Sequence, residues 1–195
     1  MGYLQLRPLR EKLYFSVTDL SGLLDIQPAS ARVLASRYTK KGLFVRLKNN
    51  FYCLEERWAS LAREEYLQIA NILQVPSYIS FMTALWVYEV TTQVPRDFFE
   101  SASLRRSKKF PVRQAVFNYY KLNKKLYFDF ILKGNVFIAT PEKAFLDTVQ
   151  KKEYNDKITK AGFVVMGLNS KESMKYIADE IAENTKLLAE HDLLL

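Results

Sequence analysis

Between Ser30 and Lys40 the side chains of Ser30, Arg32, Ser36, Thr39 and Lys40 are short, polar or cationic and recur at helical spacing. Arginine offers paired donors to guanine edges, and hydroxyls bond phosphates or bases, so a helix carrying this set has the chemistry to enter a DNA major groove. At about 100° per residue, Arg32, Ser36, Thr39 and Lys40 share one side of that helix. Val33, Leu34, Tyr38 and the stem of Arg37 share the other, which predicts that the second set packs inward. A few residues on, Arg46 and Lys48 precede Asn49 and Asn50 where apolar and polar residues alternate. That is a hairpin pattern, in which asparagine tolerates the positive φ of a tight turn. Helix and hairpin together would grip a duplex at two adjacent places. The same pattern also suits an ordinary solvated helix or a protein-binding module.

A second basic stretch holds Arg105, Arg106, Lys108, Lys109, Arg113, Lys121, Lys124 and Lys125 with no acidic residue among them, interleaved with Phe110, Phe117, Tyr119 and Tyr120. It reads in three ways: a polyanion surface with aromatics for stacking, a surface for an acidic protein, or a strand pair whose aromatics face a core while the cations face water. Catalytic patterns are thin. Glu142 and Asp147 lie five apart, about 140° around a helix, and do not converge on one metal ion; Lys143 and Asp147 at i, i+4 read instead as an ion pair. Asp129 has no convincing partner for nuclease chemistry. Cys53 lies on a strand with no histidine beside it to activate it, and His191 falls near the end of the sequence. No phosphate-cradling glycine loop or zinc spacing occurs, so the expectation is a protein that is no enzyme and has no cofactor.

The elements that must position these residues follow from punctuation. A short helix is expected from Leu9 to Tyr14, then a capping box from Ser16 to Asp19 opening a helix to about Leu24. Asp25 to Pro28 is a turn, and the helix that starts at Pro28 or Ala29 stops at Gly42. Strands are predicted over 43–47 and 51–54. Three helices followed by a hairpin is the order of a winged helix-turn-helix. A connecting helix is expected through residues 57–73, then a buried helix over 78–88 and strands over 98–104, 112–119, 127–132 and 136–139. Pro141 opens a helix to about Val149, and a strand near 162–166 and a helix over 170–189 complete the expectation. The predicted fold class is α+β, with an N-terminal winged helix-turn-helix over residues 1–58 and a C-terminal mixed α/β domain over 59–195.

The net charge of +8 attracts polyanions and is concentrated in the first three quarters of the sequence. One cysteine and one histidine leave no disulfide framework and too few ligands for zinc. No apolar run reaches membrane-spanning length, so no membrane partner is expected, and a cytoplasmic setting fits.

The order of motifs carries a resemblance from about residue 16 to about residue 150. A basic winged helix ending in Gly42-Leu43-Phe44-Val45-Arg46-Leu47 and Phe51-Tyr52 comes first, then Tyr78-Ile79-Ser80 with Thr83-Ala84-Leu85, then Val90-Thr91-Thr92. Last comes Ile138-Ala139-Thr140-Pro141-Glu142-Lys143-Ala144-Phe145-Leu146-Asp147. In this order the sequence resembles the AbiEi family of transcriptional regulators of viral defence systems. The resemblance implies an antitoxin of a type IV toxin-antitoxin pair that represses its own operon at inverted repeats in operator DNA and counteracts a cognate nucleotidyltransferase-like toxin. By it, Arg32, Ser36, Arg37, Lys40 and the wing residues would contact DNA, and the basic 101–125 region would lie in the antitoxin domain. The alternative is a non-enzymatic adaptor whose basic C-terminal domain binds an acidic protein or RNA.

Overall fold

The computed structural model describes residues 3–91 and 96–150. The chain forms two units: Met1–Ile69 with Pro111–Gln114, and Ala70–Phe110 with the chain from Ala115 onward. Both helix and sheet contribute to the described residues, so the fold is α+β.

The first unit opens with a 3-10 helix, Tyr3–Glu11, where a helix over Leu9–Tyr14 was expected. The expected helix is cut short because Phe15–Ser16 is drawn into a strand, β1, opposite Tyr52 and Phe51. Helix α1, Val17–Leu24, starts with the predicted capping box: Ser16 Oγ accepts the Asp19 amide at 3.0 Å, and Asp19 Oδ2 accepts the Ser16 amide at 2.8 Å. Asp25, at φ +48, ends it. Helix α2, Pro28–Lys40, has its proline at the first helical position, where the missing N–H costs nothing. Gly42 holds φ +73 just past its end, a conformation that favours glycine. Strands β2, Phe44–Lys48, and β3, Phe51–Leu54, join through Asn49 and Asn50, the latter at φ +62. The sheet order is β1-β3-β2. Inward-facing Leu20, Ala31, Leu34, Ala35 and Tyr38 pack on Phe15, Phe44, Tyr52 and Leu54. Phe44 stands edge-on to both Phe15 and Tyr38, at 4.9 and 5.3 Å between ring centroids.

The cap sets a testable acid sensitivity. Lys12 Nζ lies 2.8 Å from Asp19 Oδ1, and that contact with the Ser16 hydroxyl and amide holds the Asp19 carboxyl down at about 2. A depressed carboxyl contributes stability that is present above its ordinary value of 3.8 and is lost as pH falls toward 2. Asp19 is partly exposed, so solvent screening keeps the ion-pair part below about 1 kcal/mol. Ser16→Ala is expected to cost about 1 kcal/mol in urea unfolding at neutral pH. Asp19→Asn is expected to flatten the stability loss between about pH 4 and 2.

The connecting helix expected over 57–73 is two helices, α3 (Glu55–Ala59) and α4 (Arg63–Leu73). The break has local causes. Ser60 Oγ donates back to the Arg57 carbonyl, and Glu65 accepts the Ala62 amide at 2.9 Å, opening a new helix while it pairs with Arg57. Competition from such side-chain bonds ends a helix that propensity alone would continue.

In the second unit a six-stranded mixed sheet has the order β6-β7-β5-β4-β9-β8. Strand β4 is Ser77–Ile79, where a helix was expected from Tyr78; only α5, Phe81–Val87, is helical. The buried apolar run is a central strand because β4 is paired on both sides, antiparallel to β5 (Phe98–Ser103) and parallel to β9 (Val136–Ala139). Periodicity alone does not separate a short buried helix from such a strand. The strand expected over 112–119 is a hairpin of β6 (Lys108–Val112) and β7 (Ala115–Lys121), turned at Arg113 with φ +52. A 3-10 turn, Lys124–Leu126, delays the next strand, β8, to Phe130–Lys133. The β8–β9 hairpin turns at Gly134, φ +59, as predicted. Helix α6, Pro141–Gln150, packs on α5. The expected extended segment from Val90 continues into residues 92–95, and these, with the strand near 162–166, the helix over 170–189 and His191, lie outside the described residues.

Candidate nucleic-acid interface

The inner side of α2 is set by Ala31, Leu34, Ala35 and Tyr38, all buried at i, i+3, i+4 and i+7. Opposite them Ser30, Arg32, Ser36, Arg37 and Lys40 are exposed, so five of the predicted contact residues lie on one solvent face. Two assignments differ from expectation. Val33 is 69% exposed rather than packed, because at about 100° per residue it points nearly opposite the buried centre. The expected arc ran through Val33, Leu34, Arg37 and Tyr38; the burial of Ala31 and Ala35 shifts the packed side away from Val33. Thr39 is only half exposed, and its hydroxyl donates to the Ala35 carbonyl at 2.8 Å within the helix. Beside the crest, an open depression of about 440 Å³ is lined by Ile26, Ala29, Ser30, Val33, Leu34 and Arg37.

The hairpin is short. Arg46 is exposed, and its guanidinium donates to Asn49 Oδ1 at 3.5 Å. Lys48 Nζ rests 4.5 Å from the Phe51 ring centroid. Asn50 is committed to the fold: its carbonyl accepts the Val17 amide at 3.2 Å, which ties the hairpin tip to the start of α1.

In the second basic stretch Arg105, Arg106, Lys109, Lys121, Lys124 and Lys125 are exposed, and Lys108 is half-buried with its ammonium 4.1 Å from the Phe110 ring centroid. Buried Gln74 pins the Leu104–Ser107 loop by donating to Ser103 Oγ at 2.9 Å and to the Arg106 carbonyl at 2.8 Å. Arg113 is paired with Glu55 in the first unit. Phe117 and Tyr119 are fully buried, Tyr119 donating to the Ala70 carbonyl, so these aromatics belong to the core and not to a stacking platform. On β7 these aromatics alternate with the part-exposed Val116 and Tyr120, while Arg105 and Arg106 stand in the loop before β6 and Lys124 and Lys125 in the 3-10 turn after β7.

Chemistry-bearing groups elsewhere meet at one buried centre. Asp147 Oδ1 pairs with Lys143 Nζ, and its Oδ2 accepts from Ser80 Oγ at 2.6 Å and Tyr78 OH at 3.0 Å. Both charged side chains are wholly buried. Burial pushes the Asp147 carboxyl up while Lys143, Ser80 and Tyr78 pull it down, and burial with the neighbouring carboxylate pushes the Tyr78 phenol up. The i, i+4 pair was legible in the sequence; its meeting with Ser80 and Tyr78, nearly seventy residues away, was not. Asp129 accepts from Thr140 Oγ1 at 2.7 Å, joining the β8 region to the start of α6. Cys53 is buried, and that burial pushes its thiol up to about 12, so it stays protonated at neutral pH. Among the described residues no three His, Cys, Asp or Glu side chains gather as a metal-ion set, and no helix is long and apolar enough to cross a membrane. Compared with known proteins, the sequence matches no family model and no curated protein.

Proposed function

We propose that the chain is a sequence-reading DNA-binding regulator whose first unit is a winged helix-turn-helix, with α2 as the recognition helix and the β2–β3 hairpin as the wing. The observation that carries this reading is the solvent face of α2, where Ser30, Arg32, Ser36, Arg37 and Lys40 stand together opposite a fully packed face. The short turn between α1 and α2, and a hairpin bearing Arg46 directly after α2, support it. Arg32 suits a base edge and Lys40 a phosphate.

The second half of the proposal rests on the AbiEi resemblance: an autorepressing cytoplasmic antitoxin of a type IV system, binding inverted repeats and counteracting a nucleotidyltransferase-like toxin through its second unit. The exposed cations from Arg105 to Lys125 also favour a second reading, an adaptor that holds an acidic protein or an RNA backbone. The burial of Phe117 and Tyr119 weighs against base stacking there.

Fluorescence anisotropy separates these readings, comparing a duplex from upstream of the chain's own gene with a scrambled duplex at about 50 and 200 mM salt. The expected preference is roughly a thousandfold and survives the higher salt. Arg32→Ala is expected to lose about ten- to a hundredfold on the native duplex alone, while Lys40→Ala weakens both duplexes and lowers the salt slope by about one. Equal, salt-collapsing binding to both duplexes would leave only a polyanion surface.

A further inference from the structure

Val33 is the one large apolar side chain on an otherwise polar and cationic helix face, and at 69% exposure it is the most exposed of the large hydrophobic residues described. It stands at the crest. Counting about 100° per residue, the exposed arc runs from Arg32 through Ser36, Ala29, Lys40 and Val33 to Arg37 and Ser30, with Val33 near its middle. The buried set Ala31, Leu34, Ala35 and Tyr38 centres on the opposite side. Ala29, also exposed, lies one turn before Val33, so the N-terminal half of the crest is apolar while the C-terminal half carries Ser36, Arg37 and Lys40.

An isopropyl group 69% exposed beside Arg32 and Arg37 gains little for the fold, since most of its surface lies outside the core. It gains a partner only where an apolar group is presented inside a strongly anionic surface. The DNA major groove offers one such group, the 5-methyl of thymine, which apolar side chains contact directly. Residues in the N-terminal part of a recognition helix are the ones that reach base edges. We infer that Val33, with Ala29 beside it, is a specificity-determining residue that reads a thymine methyl, while the surrounding arginines and serines read polar edges and phosphates. This rests on the DNA-reading function proposed above. It predicts that the preferred site contains a thymine whose methyl is recognised independently of its hydrogen-bonding edge.

The test uses the full chain and a duplex that it selects from a random pool. Each thymine of that duplex is replaced in turn by deoxyuridine, which removes only the methyl, and binding is read by anisotropy. For the unaltered protein the expected result is a loss of roughly fourfold at one or two positions, the value of one methyl-sized apolar group. Val33→Ala should bind the thymine duplex more weakly by a similar or larger factor and show no further loss at the sensitive position. Because Val33 is exposed, this substitution leaves the core intact, and circular dichroism checks that directly. Two results overturn the inference while leaving DNA reading in place: indifference to deoxyuridine at every position with the preference over a scrambled duplex retained, or a methyl effect that persists undiminished in Val33→Ala. If the pool yields no preferred sequence at all, the DNA-reading function and this inference fall together.

Discussion

Lys143→Met is expected to destabilise the second unit by about 3–5 kcal/mol, read as a lowered urea midpoint. The reason is asymmetry. Lys143 and Asp147 are both wholly buried, so their pairing offsets a desolvation cost that water does not relieve. Removing the ammonium leaves a buried carboxylate with only the Ser80 and Tyr78 hydroxyls as donors. The Asp147 carboxyl, already pushed up by burial, rises further once the lysine no longer opposes that push. A group whose folded value is raised takes up its proton in the folded state first, so the variant should regain stability as pH falls through that value toward 3.8. Unfolding at about pH 7 and about pH 4.5 checks the sign. Lys143→Met combined with Asp147→Leu should recover part of the loss, not all of it, because two buried hydroxyls then lack their acceptor. A Lys143→Met protein that unfolds with unchanged midpoint at both values would show that water reaches the pair.

Phe44→Ala is expected to cost the first unit about 3–5 kcal/mol, through lost transfer energy and the cavity left behind. Phe44 is fully buried and joins Phe15 on β1, Tyr38 on α2 and Tyr52 on β3. Its removal loosens the seat of α2, so the duplex affinity proposed for that helix should fall with stability although Phe44 is nowhere near solvent. Phe44→Leu, which refills part of the volume, should restore most of both. A Phe44→Ala protein that keeps its affinity while losing its midpoint would show that α2 holds its place without the aromatic cluster.

Much of the first unit was legible because its signals are local. Ser16 with Asp19, Pro28, Gly42 and Asn50 each fix a boundary through their own backbone chemistry, and each stands where it was expected. The helix break at Ser60–Ala62 was not legible, since it depends on which acceptor Glu65 takes. In the second unit the sequence pattern found β5, β9 and α6, but it misread Tyr78 to Ile79, whose strand exists only because partners from distant segments flank it. Arg113 is a further miss of that kind: nothing in its type announces φ +52. On the candidate interface, the arc drawn through Val33, Leu34, Arg37 and Tyr38 left out Ala31 and Ala35, whose burial moves the packed side away from Val33. The contacts of Thr39 and Asn50 could not be read from type or spacing, because both spend hydrogen-bonding groups on the fold.

The position of β4 bears on the order in which the chain folds. Its neighbours are β5, which follows soon after, and β9, which arrives only near residue 138; the bond from Tyr78 to Asp147 closes a loop of 69 residues. Every strand pairing in the first unit's small sheet is complete by Leu54. Closing a long loop must be compensated before its contacts reward it, so non-local pairing slows folding. On a chain emerging from the ribosome, the α1–α2 pair and its hairpin therefore close first. The middle of the larger sheet waits, one edge of β4 open, until β9 has been made.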